Sequence, residues 1–569
     1  LIETTDIYRL LTALYGPPAS DAVLQELVEL ASCYQGRLQQ PRQSGLSQKD
    51  AFLITYPDQL REPGIAPLSS LANFCSQHLQ NIITCVHILP FFPSSSDDGF
   101  SVIDYFQVDP EVGSWQDISN LQQNFRLMLD GVFNHVSAQS SWFQAFLKDD
   151  PSFKDFFIVV ADSPDLSQVV RPRALPLLTR FETPSGSKQV WTTFSADQID
   201  LNYKNQQVLL KIMDILLFYI SQGAEFIRLD AIAYLWKETG TTCIHLPQTH
   251  QLIQLFRAVL KQLAPQVFLI TETNVPHSEN LSYFGDGYNE AQLVYNFALP
   301  PMLLDAFRRG SGSKLSEWAA GLALPPGRVT FFNFLASHDG IGLNPLRGIL
   351  PESYIIALVE QTLQHGGFVS FKNNPDGSQS PYELNINYFD ALSNPAGNDP
   401  LELQVQRFTA AHAILLSLAG VPAIYFHSLF GSRSWRAGVA QTGRNRTINR
   451  QKLERLELER QLADPQSLRS QVFNKLSHLL RVRASSPAFD PYGSQQVLEC
   501  GDPFFALLRS SPDAKCQVLC LVNLSDQPQI ARLPATCQAR PELTNVLSLD
   551  AANSIQLQSY QLYWIQMKP

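Results

Sequence analysis

Three short apolar runs in this chain each end in an acid: Phe-Ile-Arg-Leu-Asp (226–230), Leu-Ile-Thr-Glu (269–272) and Leu-Ala-Ser-His-Asp (335–339). Two carboxyl groups held close together, with a third nearby, are the equipment for breaking a glycosidic bond through a covalent intermediate. Strand alternation puts Arg228 on the same side as Asp230, and a guanidinium beside a carboxylate keeps it ionised, as a nucleophile must be. Glu272, near anionic neighbours and apolar walls, should have a raised pKa that suits a general acid later acting as base. Taken singly, each residue has a plainer reading: an Arg–Asp ion pair, a helix-capping Glu, a core histidine at His135. His338-Asp339 could begin a metal site, but no further ligands stand at metal spacing, and hydrogen bonding to sugar hydroxyls explains the pair better. Taken together, polar residues terminate the third, fourth, fifth and seventh apolar runs at the same end, which independent structural accidents would not select.

Such convergence needs a scaffold that gathers strand ends on one face. Eight strand candidates occur, at 51–56, 83–89, 126–133, 224–230, 267–272, 293–297, 331–336 and 422–427, with helix-like stretches such as 207–222, 250–263 and 408–418 between several of them. Strand–helix alternation implies right-handed parallel crossovers, and eight of them make a (β/α)₈ barrel whose C-terminal face carries the site. The gap after the third candidate predicts an inserted subdomain at about 136–205, and residues 340–400 predict a long loop region with Gly/Asn/Pro/Ser-rich stretches at 373–381 and 393–399. Helical periodicity in residues 1–48 predicts an N-terminal helical extension. The catalytic domain should then run over 49–487, and two-residue alternation across 488–569 predicts a C-terminal antiparallel β domain.

The 569-residue length and 45% apolar content allow one large catalytic domain with smaller additions. A formal charge of −10 with no basic patch argues against nucleic acid. No apolar run approaches bilayer length and no signal peptide is visible, and the 8 scattered cysteines form no zinc pattern. The expectation is a cytoplasmic protein with reduced thiols and no membrane partner.

Several strings together carry a family resemblance: Asp97-Asp98-Gly99-Phe100, 130–135, Arg228-Leu229-Asp230, Glu272 and His338-Asp339. They resemble the signature regions of the α-amylase superfamily of glycoside hydrolases. The segments 89–100, 113–117, Arg171-Pro172-Arg173, 191–201 and 447–450 narrow the resemblance to the sucrose phosphorylase subfamily. It covers nearly the whole chain. It implies Asp230 as nucleophile, Glu272 as acid/base and Asp339 as transition-state stabiliser. Asp97, His135, Arg228, His338 and Arg450 would hold a glucosyl ring, and Phe100 would stack on it. Arg171 and Arg173 would serve phosphate, since arginine pairs phosphate oxygens bidentately.

The chain departs from the sucrose-acting members at Tyr382-Glu383, where they carry Tyr-Gln. Segments 236–245, 173–179 and 337–347 resemble more closely the glucosylglycerate phosphorylases. A carboxylate acceptor would find donors in Lys237, Asn274, Asn344 and Arg347, with Tyr382 nearby and Glu383 accepting its hydroxyls. The expected reaction is reversible phosphorolysis of an α-glucoside, 2-O-α-glucosylglycerate first, to α-glucose 1-phosphate. Sucrose, sucrose 6′-phosphate, glucosylglycerol and plain α-glucoside hydrolysis are the alternatives. The resemblance implies no metal and no cofactor, inorganic phosphate being a substrate, and a monomer or homodimer.

Overall fold

The apolar runs become strands because their β-branched and aromatic residues tolerate burial on both faces, which a parallel sheet demands. The computed structural model describes residues 4–38, 45–161, 164–172, 175–374, 378–534 and 554–567. Eight strands close into one barrel: β1 (Phe52–Thr55), β2 (Cys85–Ile88), β3 (Arg126–Gly131), β4 (Ala224–Leu229), β5 (Phe268–Thr271), β6 (Leu293–Tyr295), β7 (Thr330–Phe334) and β8 (Val421–Tyr425). All neighbours are parallel and follow chain order, and β8 closes on β1 with Ala423 opposite Phe52.

Alternation along β4 decides what lies inside. Phe52 of β1 meets Phe226 of β4 with ring centroids 4.8 Å apart and Phe332 of β7 at 5.1 Å. These strands are not neighbours, so the rings meet across the interior and Phe226 points inward. Arg228 and Asp230, two and four residues on, point the same way and climb from that aromatic floor to the mouth.

Two of the excursions between barrel strands are long. After β3 come the paired strands His135–Ser137 and Gln198–Asp200, the helix Ser141–Leu147 and the hairpin Leu178–Thr183/Gly186–Trp191. After β7, the region expected to be a long loop is largely regular. It contains the helix Glu352–Gln364, the hairpin Phe368–Asn373/Gln379–Asn385 and the helix Tyr388–Leu392. The Gly/Asn/Pro-rich stretch around 373–381 contains the end of the first strand of this hairpin, Asn373, and the start of the second, Gln379–Pro381. Residues 375–377 lie outside the described residues, as do Arg173 and Cys537.

At the N-terminus, helices Thr5–Tyr15 and Pro17–Tyr34 bury Ile7, Leu10, Leu11, Val23 and Leu27. The Tyr15 hydroxyl donates to the Tyr203 carbonyl at 3.0 Å and Tyr34 to Asp214 Oδ1 at 2.6 Å, pinning the pair to the barrel's outer layer. At the other end, β9 (Ser494–Val497), β10 (Phe504–Ser510), β11 (Gln517–Asn523) and β12 (Leu562–Met567) form an antiparallel sheet. One face, with Phe504, Ala506, Leu519, Leu521 and Ile565, packs on the ribbon Gln529–Arg532/Ser554–Leu557. The other, with Phe505, Leu507, Val518, Cys520 and Val522, joins the core shared with the barrel.

Buried Arg483 fastens this junction, donating to the carbonyls of Gln48, Asp50, Leu416, Gly420 and Phe489 at 2.5–3.2 Å. Those carbonyls span the start of β1, the approach to β8 and the lead-in to β9. Arg483→Met, similar in length but without donors, should therefore destabilise the protein by about 3 kcal/mol, the scale of stripping partners from buried polar groups. A denaturant-unfolding midpoint equal to that of the parent would contradict this.

Candidate active site

The site is built upward from one buried guanidinium. Arg228 Nη1 pairs with Asp130 Oδ1 from β3 and, at 2.8 Å, with Asp230 Oδ1; its Nη2 lies 3.8 Å from Glu272 Oε2. Asp130 is held in turn by His87 Nε2 of β2 at 2.8 Å. The guanidinium carbon lies 5.5 Å from the Tyr295 ring centroid and 5.6 Å from that of Phe100, so aromatic faces complete its shell. Arg228 is off the cavity wall and reaches the carboxylates from below.

Directly after Asp230, Ala231 takes the left-handed conformation (φ 49°). Its N–H donates to Glu272 Oε2 at 3.2 Å, so this strained turn joins the two acids. Burial raises both Asp230 and Glu272 above the ordinary carboxylate range; Arg228 opposes this in each, while Glu272 adds to the rise at Asp230 and Asp339 to that at Glu272. Two such acids hold one proton between them. The 2.8 Å contact to Arg228 on Asp230, against 3.8 Å on Glu272, gives Asp230 the closer counter-charge of the two.

Burial would raise Asp339 as well, but Arg446 Nη1 at 2.5 Å and Arg450 Nη2 at 3.5 Å hold it well below the usual range. Arg446 also makes a two-pronged pair with Glu383, Nε to Oε1 at 3.0 Å and Nη2 to Oε2 at 2.6 Å. The Gly340 N–H donates to the same Oε1 at 3.0 Å, and a Cβ on Gly340 would fall 2.4 Å from that oxygen. Glycine next to Asp339 is what lets the Glu383 carboxylate come so close.

These groups surround a cavity of about 510 Å³ at the C-terminal mouth of the barrel. Of the residues expected from sequence, Asp97, Phe100, His135, Asp230, Glu272, Asn274, His338, Asp339, Tyr382, Glu383 and Arg450 all line it. Burial pushes the imidazole of His338 down to about 3 and lowers that of His135, so both are neutral near pH 7. His135 Nε2 lies 2.8 Å from the Phe100 carbonyl and Nδ1 lies 3.2 Å from Asn134 Nδ2, which sets Nε2 as the protonated nitrogen. Phe100 stacks on His338 at 4.8 Å and 5°, so aromatic and imidazole form one joint wall. Arg450 is fixed by Asp98 and by the His338 carbonyl at 2.7 Å.

The remaining expected residues are placed differently. Lys237 does not enter the cavity: it is buried, donating to Asn134 Oδ1 at 2.7 Å and facing Asp200 at 3.4 Å. That Asp200 neutralises it and needs a cation in return, so Lys237 braces the wall from behind and is not an acceptor contact here. Asn344 stands behind Asn274, donating to its carbonyl at 3.4 Å and accepting from Lys372 at 3.2 Å. Arg347 is exposed, 3.4 Å from Ser380 Oγ. Pro172 lines the cavity while its neighbour Arg171 does not. Asn274 Oδ1 is buried without a partner among the described residues, a spare acceptor on the wall.

Sequence reasoning missed Arg446, Arg444, Gln198, Phe194 and Tyr234, all on the wall. The arginines were within reach, standing six and four residues before Arg450 in Gly-Arg-Asn-Arg-Thr-Ile-Asn-Arg. Gln198 and Phe194 belong to the inserted subdomain, whose register no local pattern discloses. No group of three or more His, Cys, Asp or Glu residues suited to a metal ion occurs among the described residues. No described helix is long and apolar enough to cross a membrane.

Residues 77–316 match the family described as "Alpha amylase, catalytic domain". A glucosylglycerate phosphorylase of Spirochaeta thermophila is 53% identical, over 94% of this chain and 92% of that protein. The glucosylglycerate phosphorylase of Escherichia coli is 47% identical, over 98% of this chain and 99% of its own. Among solved structures, sucrose 6F-phosphate phosphorylase from Thermoanaerobacter thermosaccharolyticum superposes with a TM-score of 0.73 at 26% identity, covering 84% of this chain and 94% of that one.

The Asp339–Arg446 pair makes a pH prediction. Because Arg446 depresses the Asp339 pKa, Asp339 stays ionised down to low pH, and removing the cation lets burial raise that pKa. Arg446→Gln should thus move the acid limb of the kcat/KM profile for α-glucoside turnover to higher pH, with roughly a tenfold loss at the acid end. An acid limb that does not move would show that Arg446 leaves Asp339 untuned.

Proposed function

The chain belongs to the α-amylase family and, within it, to the glucosylglycerate phosphorylases; from that premise we propose how its cavity divides the reaction among its residues. The protein is a retaining glucoside phosphorylase, and its donor is 2-O-α-glucosylglycerate. The observation that carries the residue roles is the asymmetric grip of Arg228, tight on Asp230 and loose on Glu272. Asp230 is the charged nucleophile and attacks the anomeric carbon. Glu272 gives its proton to the departing glycerate oxygen, and the glucosyl group is left as an ester of Asp230. Asp339, held ionised by Arg446 and Arg450, steadies the positive charge that develops at the ring.

In the second half, a phosphate oxygen attacks the anomeric carbon from the face that glycerate left. The C1–Oδ bond to Asp230 breaks as the C1–O bond to phosphate forms, and the phosphate proton passes to Glu272. Two inversions give α-glucose 1-phosphate with net retention. The reaction is reversible and uses no group other than its substrates.

Asp97, His338 and Arg450 hold the sugar hydroxyls, and neutral His135 shapes the same wall, its Nε2–H being given to the Phe100 carbonyl. Phe100 packs on the glucosyl ring, and Arg228 acts from below the floor. Asn274 and Tyr382 face the acceptor, with Asn344 and Arg347 behind them. Arg171, beside the wall residue Pro172, is assigned to phosphate, as is Arg173, which lies outside the described residues. Glu383 acts on the acceptor side mainly by holding Arg446, its oxygens being already engaged by that arginine and Gly340.

Asp230→Asn should reduce turnover by about four orders of magnitude, the scale of losing a covalent nucleophile. Residual activity within tenfold of the parent would sink the mechanism. With α-glucose 1-phosphate as donor and glycerate, glycerol, fructose and fructose 6-phosphate offered in parallel, phosphate release should be fastest with glycerate. Free glucose released at a comparable rate without any acceptor would identify a hydrolase instead.

A further inference from the structure

The cavity has an unbalanced charge inventory. Its wall carries five acids, Asp97, Asp230, Glu272, Asp339 and Glu383, and three arginines, Arg444, Arg446 and Arg450. Two of the arginines are committed: Arg446 to Asp339 and Glu383, Arg450 to Asp98 and the His338 carbonyl. The Arg444 guanidinium is exposed and has no hydrogen-bond or ion-pair partner among the described residues, its N–H to Thr442 Oγ1 being a backbone contact. Lys237 is sequestered on Asp200, and Lys372 and Arg347 are off the wall. Both second substrates, by contrast, are anions: the glycerate carboxylate in one direction and phosphate in the other. A small oxyanion entering an acidic cavity needs an uncommitted cation, and Arg444 is the one on the described wall.

Its loop is built to hold it still. Gly443 adopts φ 67°, and Thr442 and Thr447 share a hydroxyl contact at 2.8 Å across the turn. Trp435 N–H donates to the Ile448 carbonyl at 2.7 Å, and Asn449 Nδ2 donates to the carbonyls of Ser337 and Asp339 at 3.1 and 2.9 Å. The strand end that carries Asp339 and the turn that carries Arg444 are thereby one rigid piece. The turn fixes the backbone from which Arg444 projects, and its side chain lines the outer cavity wall.

We infer that Arg444 is the oxyanion anchor of the cavity's outer half, gripping the acceptor carboxylate in one half-reaction and inorganic phosphate in the other. The two anions occupy the anchor in alternation, because each leaves before the other attacks. A planar fork suits both, since carboxylate and phosphate each present two oxygens at matching spacing. The assignment rests on the phosphorylase reading above and adds a specificity residue to it.

The test is steady-state kinetics on the full chain with Arg444→Gln and Arg444→Lys. In Arg444→Gln, the KM for phosphate and the KM for glycerate should each rise about tenfold or more, the scale of one lost charge-assisted pair. The rate at saturating anion should fall much less, and the preference for glycerate over neutral glycerol should shrink by a similar factor. Arg444→Lys, a point charge without the fork, should recover part of both KM values. Both KM values within twofold of the parent, a rise confined to one anion, or a rate at saturation that falls as far as kcat/KM would each overturn the assignment. A parent enzyme that frees glucose from α-glucosyl fluoride yet transfers it to neither anion would refute the phosphorylase reading itself. Normal parental phosphorolysis with an unaltered Arg444→Gln would refute the role of Arg444 alone.

Discussion

Everything at the mouth of this barrel depends on burying the Arg228 guanidinium among carboxylates. Removing a charge from water costs several kcal/mol, and only close counter-charges offset it. Asp130 and Asp230 supply them from adjacent strands, and Glu272 stands at longer range. The same contacts create the chemical difference between two otherwise similar acids. Structure and reactivity are thus one electrostatic arrangement: in the mechanism proposed above, the ion pair that satisfies the buried arginine also separates the acid that attacks from the acid that carries the proton.

Around that centre, each layer constrains the next. The aromatic floor of Phe52, Phe226 and Phe332 sets the height at which Arg228 can stand. The left-handed turn at Ala231 brings an N–H to Glu272, and the close approach at Gly340 brings Glu383 to Arg446 and so to Asp339. Excursions from the barrel supply the rest of the wall. The subdomain after β3 contributes Gln198 and Phe194, and the hairpin after β7 contributes Tyr382 and Glu383. With the inner half assigned to the glucosyl ring, as proposed above, acceptor discrimination falls to the outer half.

Much of this was legible in the chain. The eight strands, the inward phase of Arg228 and Asp230 and the three acids follow from period-two patterning and from strand ends that share polar character. The glycerate reading was legible too, through resemblance at Glu383 and its neighbouring segments. The partners of the acceptor were not. Lys237 sits next to Trp236 in a segment that skirts the cavity, yet its amine turns away to Asp200, 37 positions earlier in the chain. The region of 340–400 reads as loop because turn residues dominate its composition, while its strands are short and half-exposed and carry little apolar signal.

By itself, then, the sequence determined the barrel and the class of bond broken, and it pointed to three acids at the barrel mouth, because those depend on local alternation and on residue type at strand ends. Only the tertiary structure decided how charge is shared among them. Arg228 grips Asp230 more tightly than Glu272, Arg446 bridges Asp339 and Glu383, and the Arg444 guanidinium on the wall has no partner among the described residues. Coulombic partnership is fixed by distances of a few ångströms between residues tens to hundreds of positions apart, and a linear pattern contains no such distances.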